Sequence, residues 1–210
     1  SSATTWLLRP PETNDSTAVI GVGAVGSEGV AHYSPVRHVD LQGKGSVSSQ
    51  GGSYSNDGLA IYGGSNVTLS YFRMQGIGRC PFFVSPKNLV VEHGWVQSFH
   101  GSSAVHSEVA SIWGFAGSVG DVSFRYNLFT DIQSTGGLMW DNSSNPIARM
   151  EVYGNVFYKP PGANWERANG VIGGWTSNSA FRNAIVYNNT FINVDRQSLS
   201  TFPQAYSGNV

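Results

Sequence analysis

The chain has 210 residues, which suits one domain, and its formal net charge of −1 offers no sign of the basic patch that a nucleic-acid partner requires. With 40% hydrophobic residues, 12% charged residues and 26 glycines, the composition argues against disorder and indicates a β-rich protein with many tight turns. Cys80 is the single cysteine, so an intramolecular disulfide is excluded. No apolar run approaches the ~20 residues of a membrane span, and we expect no membrane partner.

Residues 1–35 are predicted to form a capping segment or part of a first coil. Trp6-Leu-Leu8 precedes Pro10 and Pro11, which stop regular structure. The apolar, glycine-spaced run 18–25 suits either a strand of the first coil or a cap. A first strand and turn are then predicted over 38–43.

A repeated stretch dominates residues 36–194. Three copies share an alternating run that leads to an Asn six residues after the start and to an aromatic residue two positions later: 121–129, 149–157 and 183–191. Two weaker copies begin at Asn66 and Asn88. The unequal intervals between constant strand motifs indicate a solenoid, because its turns tolerate insertions while its strands must stay in register.

A second, shorter apolar run lies between successive copies, so each turn of the repeat is predicted to carry at least two strands. Similar strands recur far apart in the sequence, which favours parallel stacking over hairpins, since hairpins join adjacent strands by tight turns. An Asn ladder is predicted at the bend, at Asn127, Asn155 and Asn189. The predicted interior columns are Val122, Met150 and Ala184; Phe124, Val152 and Val186; Phe129, Phe157 and Phe191.

The Asn-x-Phe ends at 127–129, 155–157 and 189–191, with their flanking strands, resemble the right-handed parallel β-helix proteins of the pectate-lyase-like superfamily. The resemblance covers residues 36–194 and implies an all-β fold, a right-handed parallel β-helix (solenoid) of about six to seven coils. Residues 195–210 would then be a C-terminal cap or tail. The superfamily includes polysaccharide lyases, glycoside hydrolases, esterases, epimerases and phage adhesins, so the resemblance implies a fold and leaves the activity open.

The candidate chemistry comes from aligning the second strands with one another. Setting 104–109 against 137–142 and 170–175 places Glu108 beside Asp141, at the strand spacing of about 4.8 Å. Such a pair suits an acid–base pair, near the ~5 Å separation of retaining glycosidases, or a calcium site with carboxylate ligands. Two solvated carboxylates at a turn are the alternative, and a register with Ile112-Trp113 opposite Met139-Trp140 would separate the pair.

Further residues are assigned around this pair. His106 and His100 are candidate general bases because histidine titrates near neutral pH. The resemblance implies that a lyase of this superfamily would use Arg or Lys as its base, with a cation on the substrate carboxylate. The candidates for that base are Arg79, Lys87, Arg125 and Arg149, each with a plain surface role as the alternative. The residues predicted to bind substrate are Trp113, Trp140, Trp175 and Arg79.

These observations predict a secreted protein, extracellular or periplasmic, that acts on an acidic or plain polysaccharide. A polysaccharide lyase or glycoside hydrolase working in a groove along the helix is the first hypothesis. A non-catalytic glycan-binding module and a structural or adhesin β-helix fragment are the alternatives. Calcium is the one cofactor considered. A monomer, or a weak oligomer through the solenoid ends, is expected, since 195–210 either fold over the last coil or leave an end that pairs with another chain or with a further domain.

Overall fold

The computed structural model describes residues 6–8, 20–23, 34–37, 39–42, 59–62, 66–77, 82–85, 88–100, 109–112, 119–133, 139–141, 147–161, 172–174, 184–193 and 206–207. Within these ranges every regular element is a β-strand, and the strands pair in parallel. The same ranges contain no helix long and apolar enough to cross a bilayer. The described part of the chain is therefore all-β, as predicted.

The strands form three parallel sheets. Sheet A contains, in spatial order, β1 (Trp6–Leu8), β4 (Val39–Gln42), β7 (Arg73–Gln75), β10 (Trp95–His100), β13 (Leu128–Gln133), β16 (Val156–Tyr158) and β19 (Thr190–Ile192). Sheet B contains β2 (Ile20–Gly23), β5 (Leu59–Tyr62), β8 (Phe82–Ser85), β11 (Ala110–Ile112), β14 (Met139–Asp141) and β17 (Ile172–Gly174). Sheet C contains β3 (Ser34–Arg37), β6 (Val67–Ser70), β9 (Asn88–Glu92), β12 (Val119–Arg125), β15 (Ile147–Tyr153), β18 (Ala184–Tyr187) and β20 (Tyr206–Ser207).

From β1 to β19 the described strands lie in sheets A, B and C in rotation, and each one lies beside the previous strand of that sheet. This order is compatible with a parallel β-helix, with three strands in each turn of the repeat. The first three strands already belong to this scheme, because Trp6 pairs with Val39 and Ile20 pairs with Leu59. At the other end, Tyr206 pairs with Val186 and adds a short strand to sheet C.

The predicted register of the main repeat is confirmed. Val122 pairs with Met150, which pairs with Ala184, and the column Phe124, Val152 and Val186 is in register beside it. The two weaker copies follow the same alignment, since Val67 pairs with Leu89 and Leu89 with Val122. The column Phe129, Phe157 and Phe191 is a ring stack, with centroid distances of 4.9 and 5.1 Å.

Strict alternation in β12 explains how the repeat builds a core. Val122 and Phe124 are buried, whereas Asp121, Ser123 and Arg125 lie on the other face of the strand. The largest fully buried side chains among the described residues come from inward positions of all three sheets and, in the case of Ile77, from the turn after β7: Phe82, Phe124, Phe129, Phe157, Leu59, Leu69, Met74 and Ile77.

The predicted Asn ladder is also confirmed, at the bend between sheets C and A. Asn127 donates from Nδ2 to Oδ1 of Asn155 at 3.1 Å, and Asn155 does the same to Asn189 at 3.0 Å. All three side chains are buried. The residue before each Asn of the ladder has a left-handed backbone with positive φ: Tyr126, Gly154 and Asn188. The ladder Asn residues themselves do not have positive φ, and they close the bend through their side-chain hydrogen bonds.

Candidate functional site

Most of the predicted site residues lie outside the described residues. Glu108, His106, Trp113, Trp175 and Arg79 are all in this group. For three others, the structure describes the backbone position within β10 or β14 and not the side chain: His100, Trp140 and Asp141. The roles assigned to these residues therefore remain predictions.

The register predicted for sheet B is correct on one side of β14 and wrong on the other. Met139 pairs with Ile172, as predicted. On the opposite side, however, Ala110 pairs with Met139 and Ile112 pairs with Asp141. An apolar side chain thus occupies the position next to Asp141 where Glu108 was predicted, and the alternative register, with Ile112 opposite Met139, is also wrong.

The physical reason is the burial of the run that begins at Val109. Val109, Ala110 and Ile112 are fully buried, and the Phe82 backbone nitrogen donates to the carbonyl of Val109 at 2.9 Å. This run continues the core between β8 and β14, whereas the prediction placed the shorter run 104–106 there. Ser111 is also buried, at 1% exposure, so both faces of β11 are covered.

The register of β11 and β14 gives Asp141 no neighbouring carboxylate with which to form the predicted calcium pair. Strand pairing brings Asp141 next to Ile112 and not next to a second carboxylate. Among the residues that the structure describes, no cluster of three or more His, Cys, Asp or Glu side chains could hold a metal ion.

The best-defined open surface is the outside of sheet A from β7 to β19. Inward Met74, Val96, Phe129 and Phe157 are buried, so the residues between them face outward. Ten outward side chains form two rows across the strands: Arg73, Trp95, Leu128, Val156 and Thr190; and Gln75, Gln97, Thr130, Tyr158 and Ile192. We call these ten residues the sheet A face.

Trp95 is the central feature of the sheet A face. Its side chain is 39% exposed, and its Nε1 donates to Oγ1 of Thr130 at 2.8 Å. The guanidinium carbon of Arg73 lies 5.0 Å from the ring centroid, within the range of a cation–π contact. The indole is thus held in one orientation from two neighbouring strands while much of its surface stays open to solvent.

An amide pair lies beside this indole. Nε2 of Gln97 donates to Oε1 of Gln75 at 2.7 Å, and Nη2 of Arg73 donates to the same oxygen at 3.0 Å. Trp95 and the two amides therefore combine an apolar aromatic surface with hydrogen-bonding groups on the next row. Exposed aromatic rings with a few polar groups at fixed positions are typical of ligand-binding surfaces.

The bend next to the sheet A face carries a column of stacked aromatic rings. His93 lies between Tyr71 and Tyr126, with ring centroids 5.1 and 5.4 Å away. Tyr71 and Tyr126 are 54% and 50% exposed. Tyr126 meets Tyr153 edge-to-face at 5.3 Å, and Tyr153, the last residue of β15, stacks on Tyr187, the last residue of β18, at 4.7 Å. These contacts join successive turns of the repeat at the bend and at the adjoining ends of the sheet C strands.

The outside of sheet C carries paired charges. Nε of Arg125 lies 2.7 Å from Oε2 of Glu92, and Arg149 is paired with Glu151. The hydrogen bond to Tyr153 raises the pKa of Arg125 most strongly; burial opposes this effect, and Glu92 adds to the rise. Because both guanidinium groups are held by carboxylates, Arg125 and Arg149 are poorly suited to the role of proton-abstracting base.

Comparison of the chain with protein-family models, with curated proteins and with solved structures finds no match. The support for the sheet A face as a binding site is therefore the geometry of its side chains. Trp95 is not among the predicted substrate-binding residues, because the predicted tryptophans all lie in or after the second strands. A usable signal was present: Trp95 directly precedes the inward Val96 in the copy that begins at Asn88, which places it at an outward position just after the bend.

Proposed function

We propose that this protein is a carbohydrate-active β-helix protein that binds a polysaccharide on the sheet A face. The fold would be a right-handed parallel β-helix of about six to seven coils, as the resemblance to the pectate-lyase-like superfamily implies. The observation that carries the proposal is the exposed Trp95 indole, fixed by Thr130 and Arg73 beside the Gln75–Gln97 amide pair.

The chemistry of sugars fits this arrangement. A sugar ring has an apolar face of C–H groups and a rim of hydroxyl groups that both donate and accept hydrogen bonds. An open indole surface can cover the apolar face, and amide groups on the neighbouring row can bond to the hydroxyl rim. Trp95 is fixed before binding, which reduces the entropy lost when the complex forms.

Replacement of Trp95 by alanine is expected to weaken polysaccharide binding by at least about tenfold, the scale of a buried tryptophan hot spot. Affinity electrophoresis in gels containing a polysaccharide measures this loss as restored mobility. Tyr71→Ala is the matched control, because Tyr71 is also an exposed aromatic residue but lies on the bend. Equal losses in the two variants would contradict the assignment of binding to the sheet A face.

Turnover of the bound polysaccharide, by a lyase or hydrolase reaction, is the catalytic part of the proposal. The predicted catalytic residues Glu108, Asp141, His106 and His100 are retained in this proposal as individual residues, without the Glu108–Asp141 pairing, because Ile112 lies next to Asp141. Substrate-contact roles are likewise retained for Trp113, Trp140, Trp175 and Arg79. Glu108→Gln and Asp141→Asn are expected to abolish turnover and to leave binding intact. Absorbance of unsaturated ends detects a lyase, and release of reducing ends detects either reaction. Full rates in both variants would exclude these carboxylates; binding without any turnover would identify a binding module.

We further propose that the protein works outside the cell or in the periplasm, where polysaccharides are accessible. Association through the ends of the solenoid is proposed to be absent or weak. Size-exclusion chromatography with light scattering tests the second point, since a mass of 22.5 kDa corresponds to one chain. A stable dimer at micromolar concentration would contradict it.

A further inference from the structure

We infer that the polysaccharide bound by the sheet A face is uncharged. This inference rests on the proposed function and names the class of glycan. The ten side chains of the face are described from β7 to β19, and Arg73 is the one charged residue among them. The other nine are amide, hydroxyl, aromatic and aliphatic groups, which suit neutral sugar hydroxyls and C–H faces.

The single cation is already engaged within the face. The Arg73 guanidinium packs over Trp95 and donates to Gln75. A polyuronate carries a carboxylate on each sugar, so successive sugars would need successive cations or rows of donors. Along its own row, Arg73 is followed by Trp95, Leu128, Val156 and Thr190. Carboxylates pressed against Leu128 and Val156 would lose water without gaining a partner, which is costly.

Lys159 directly follows Tyr158 at one edge of the face, as a single cation and not a row, and the two arginines nearest the bend on sheet C are neutralised. Arg125 is held by Glu92 and Arg149 by Glu151, both on the outside of sheet C. Among the described residues, these pairs leave no row of free arginines that continues from Arg73 around the bend. A polyanion approaching from that side would meet compensated charge and not a positive stripe.

The amide groups of the face can also form hydrogen bonds with neutral hydroxyl groups. Gln75 uses its side-chain oxygen for Arg73 and Gln97. Among the described residues, no hydrogen bond involves the Gln75 side-chain nitrogen or the Gln97 side-chain oxygen. One donor and one acceptor on neighbouring strands therefore remain for a ligand. A hydroxyl group can satisfy both kinds of partner, whereas a carboxylate only accepts.

The test is affinity electrophoresis of the full chain against two neutral probes, glucomannan and mixed-linkage β-glucan, and two acidic probes, polygalacturonate and alginate. Each is run at about 50 mM and about 500 mM NaCl, a range over which the screening length of exposed charges falls several-fold. We expect retardation by a neutral probe, with a dissociation constant that changes less than about twofold with salt. Trp95→Ala should weaken this binding about tenfold or more.

Three results would overturn the inference. They bear, respectively, on the charge of the glycan, on the location of the binding site and on the proposed function. Tighter binding of an acidic probe that falls steeply with salt and is lost in Arg73→Gln would show a charged glycan, and the proposed function would stand. Neutral binding that Trp95→Ala leaves unchanged would move the site away from the sheet A face. No retardation by any of the four probes would count against the proposed function itself.

Discussion

Asn155→Ala is expected to lower the free energy of unfolding by about 3 kcal/mol or more, because several buried hydrogen-bonding groups lose their partner at once. Oδ1 of Asn155 accepts from the backbone nitrogen and from Nδ2 of Asn127, at 3.0 and 3.1 Å. Its Nδ2 donates to the carbonyl of Phe124 and to Oδ1 of Asn189, at 2.9 and 3.0 Å. The side chain is fully buried, so water cannot easily replace it.

The matched control is Asn88→Ala. Asn88 also donates from Nδ2 to an Asn in the preceding turn of the repeat, Asn66, at 2.9 Å, and its Oδ1 accepts from the backbone nitrogen of Asp121 at 3.4 Å, but both bonds are exposed to solvent. Their loss should cost about 0.5 kcal/mol or less, as for most surface substitutions. Guanidinium chloride unfolding followed by tryptophan fluorescence measures both values. Similar costs for the two variants would show that the buried ladder contributes no more than a surface pair.

The ladder was predictable from the sequence because a parallel stack repeats the same side chain at the same place. Asn127, Asn155 and Asn189 recur at one position of the motif, and the structure aligns them by strand pairing on both sides. The two weaker copies lack the Asn, yet the apolar positions Val67 and Leu89 sufficed to set their register. Long, regular motifs carry enough redundancy to fix the alignment even when one position changes.

Sheet B was harder to predict because its strands are short and share no marker residue. In β11 the strand has three residues, and the choice between 104–106 and 110–112 depended on which apolar run enters the core. A shift of a few residues replaced Glu108 by Ile112 beside Asp141. Strand register controls every cross-strand neighbour, so a small alignment error removed the whole argument for the carboxylate pair.

The outward residues of the sheet A face follow from the sequence once the inward columns are placed. The interior columns had been placed correctly, and the residues on either side of Phe129 and Phe157 must then face outward. Applying the same rule to Val96 identifies Trp95 and Gln97 as surface neighbours of Arg73 and Gln75. What the sequence could not supply is the orientation of the indole, which depends on the contacts with Thr130 and Arg73.

Gly94→Ala is expected to destabilise the protein by about 3 kcal/mol, at the upper end of the usual cost of overpacking a core. A Cβ at this position would lie 2.1 Å from both Cε1 and Cζ of Phe72 and 2.6 Å from its Cε2. Phe72 has little room to move, because it is 4% exposed and packs edge-on against Phe82 at 5.9 Å. The Gly94 backbone nitrogen is also fixed, since it donates to Oδ1 of Asn127 at 2.9 Å.

A second substitution that removes the clash should restore part of the lost stability. Leucine ends at Cδ, so Phe72→Leu removes the ring atoms that the new Cβ would meet. Gly94→Ala should therefore cost much less in the Phe72→Leu background, with a coupling energy of about 1–2 kcal/mol in a double-mutant cycle. Strictly additive costs would contradict the steric explanation.

Since Trp95 follows Gly94 and its backbone nitrogen donates to the carbonyl of Phe72 at 2.9 Å, the single variant should also shift the indole. We accordingly expect Gly94→Ala to weaken polysaccharide binding, and the double variant to recover part of it.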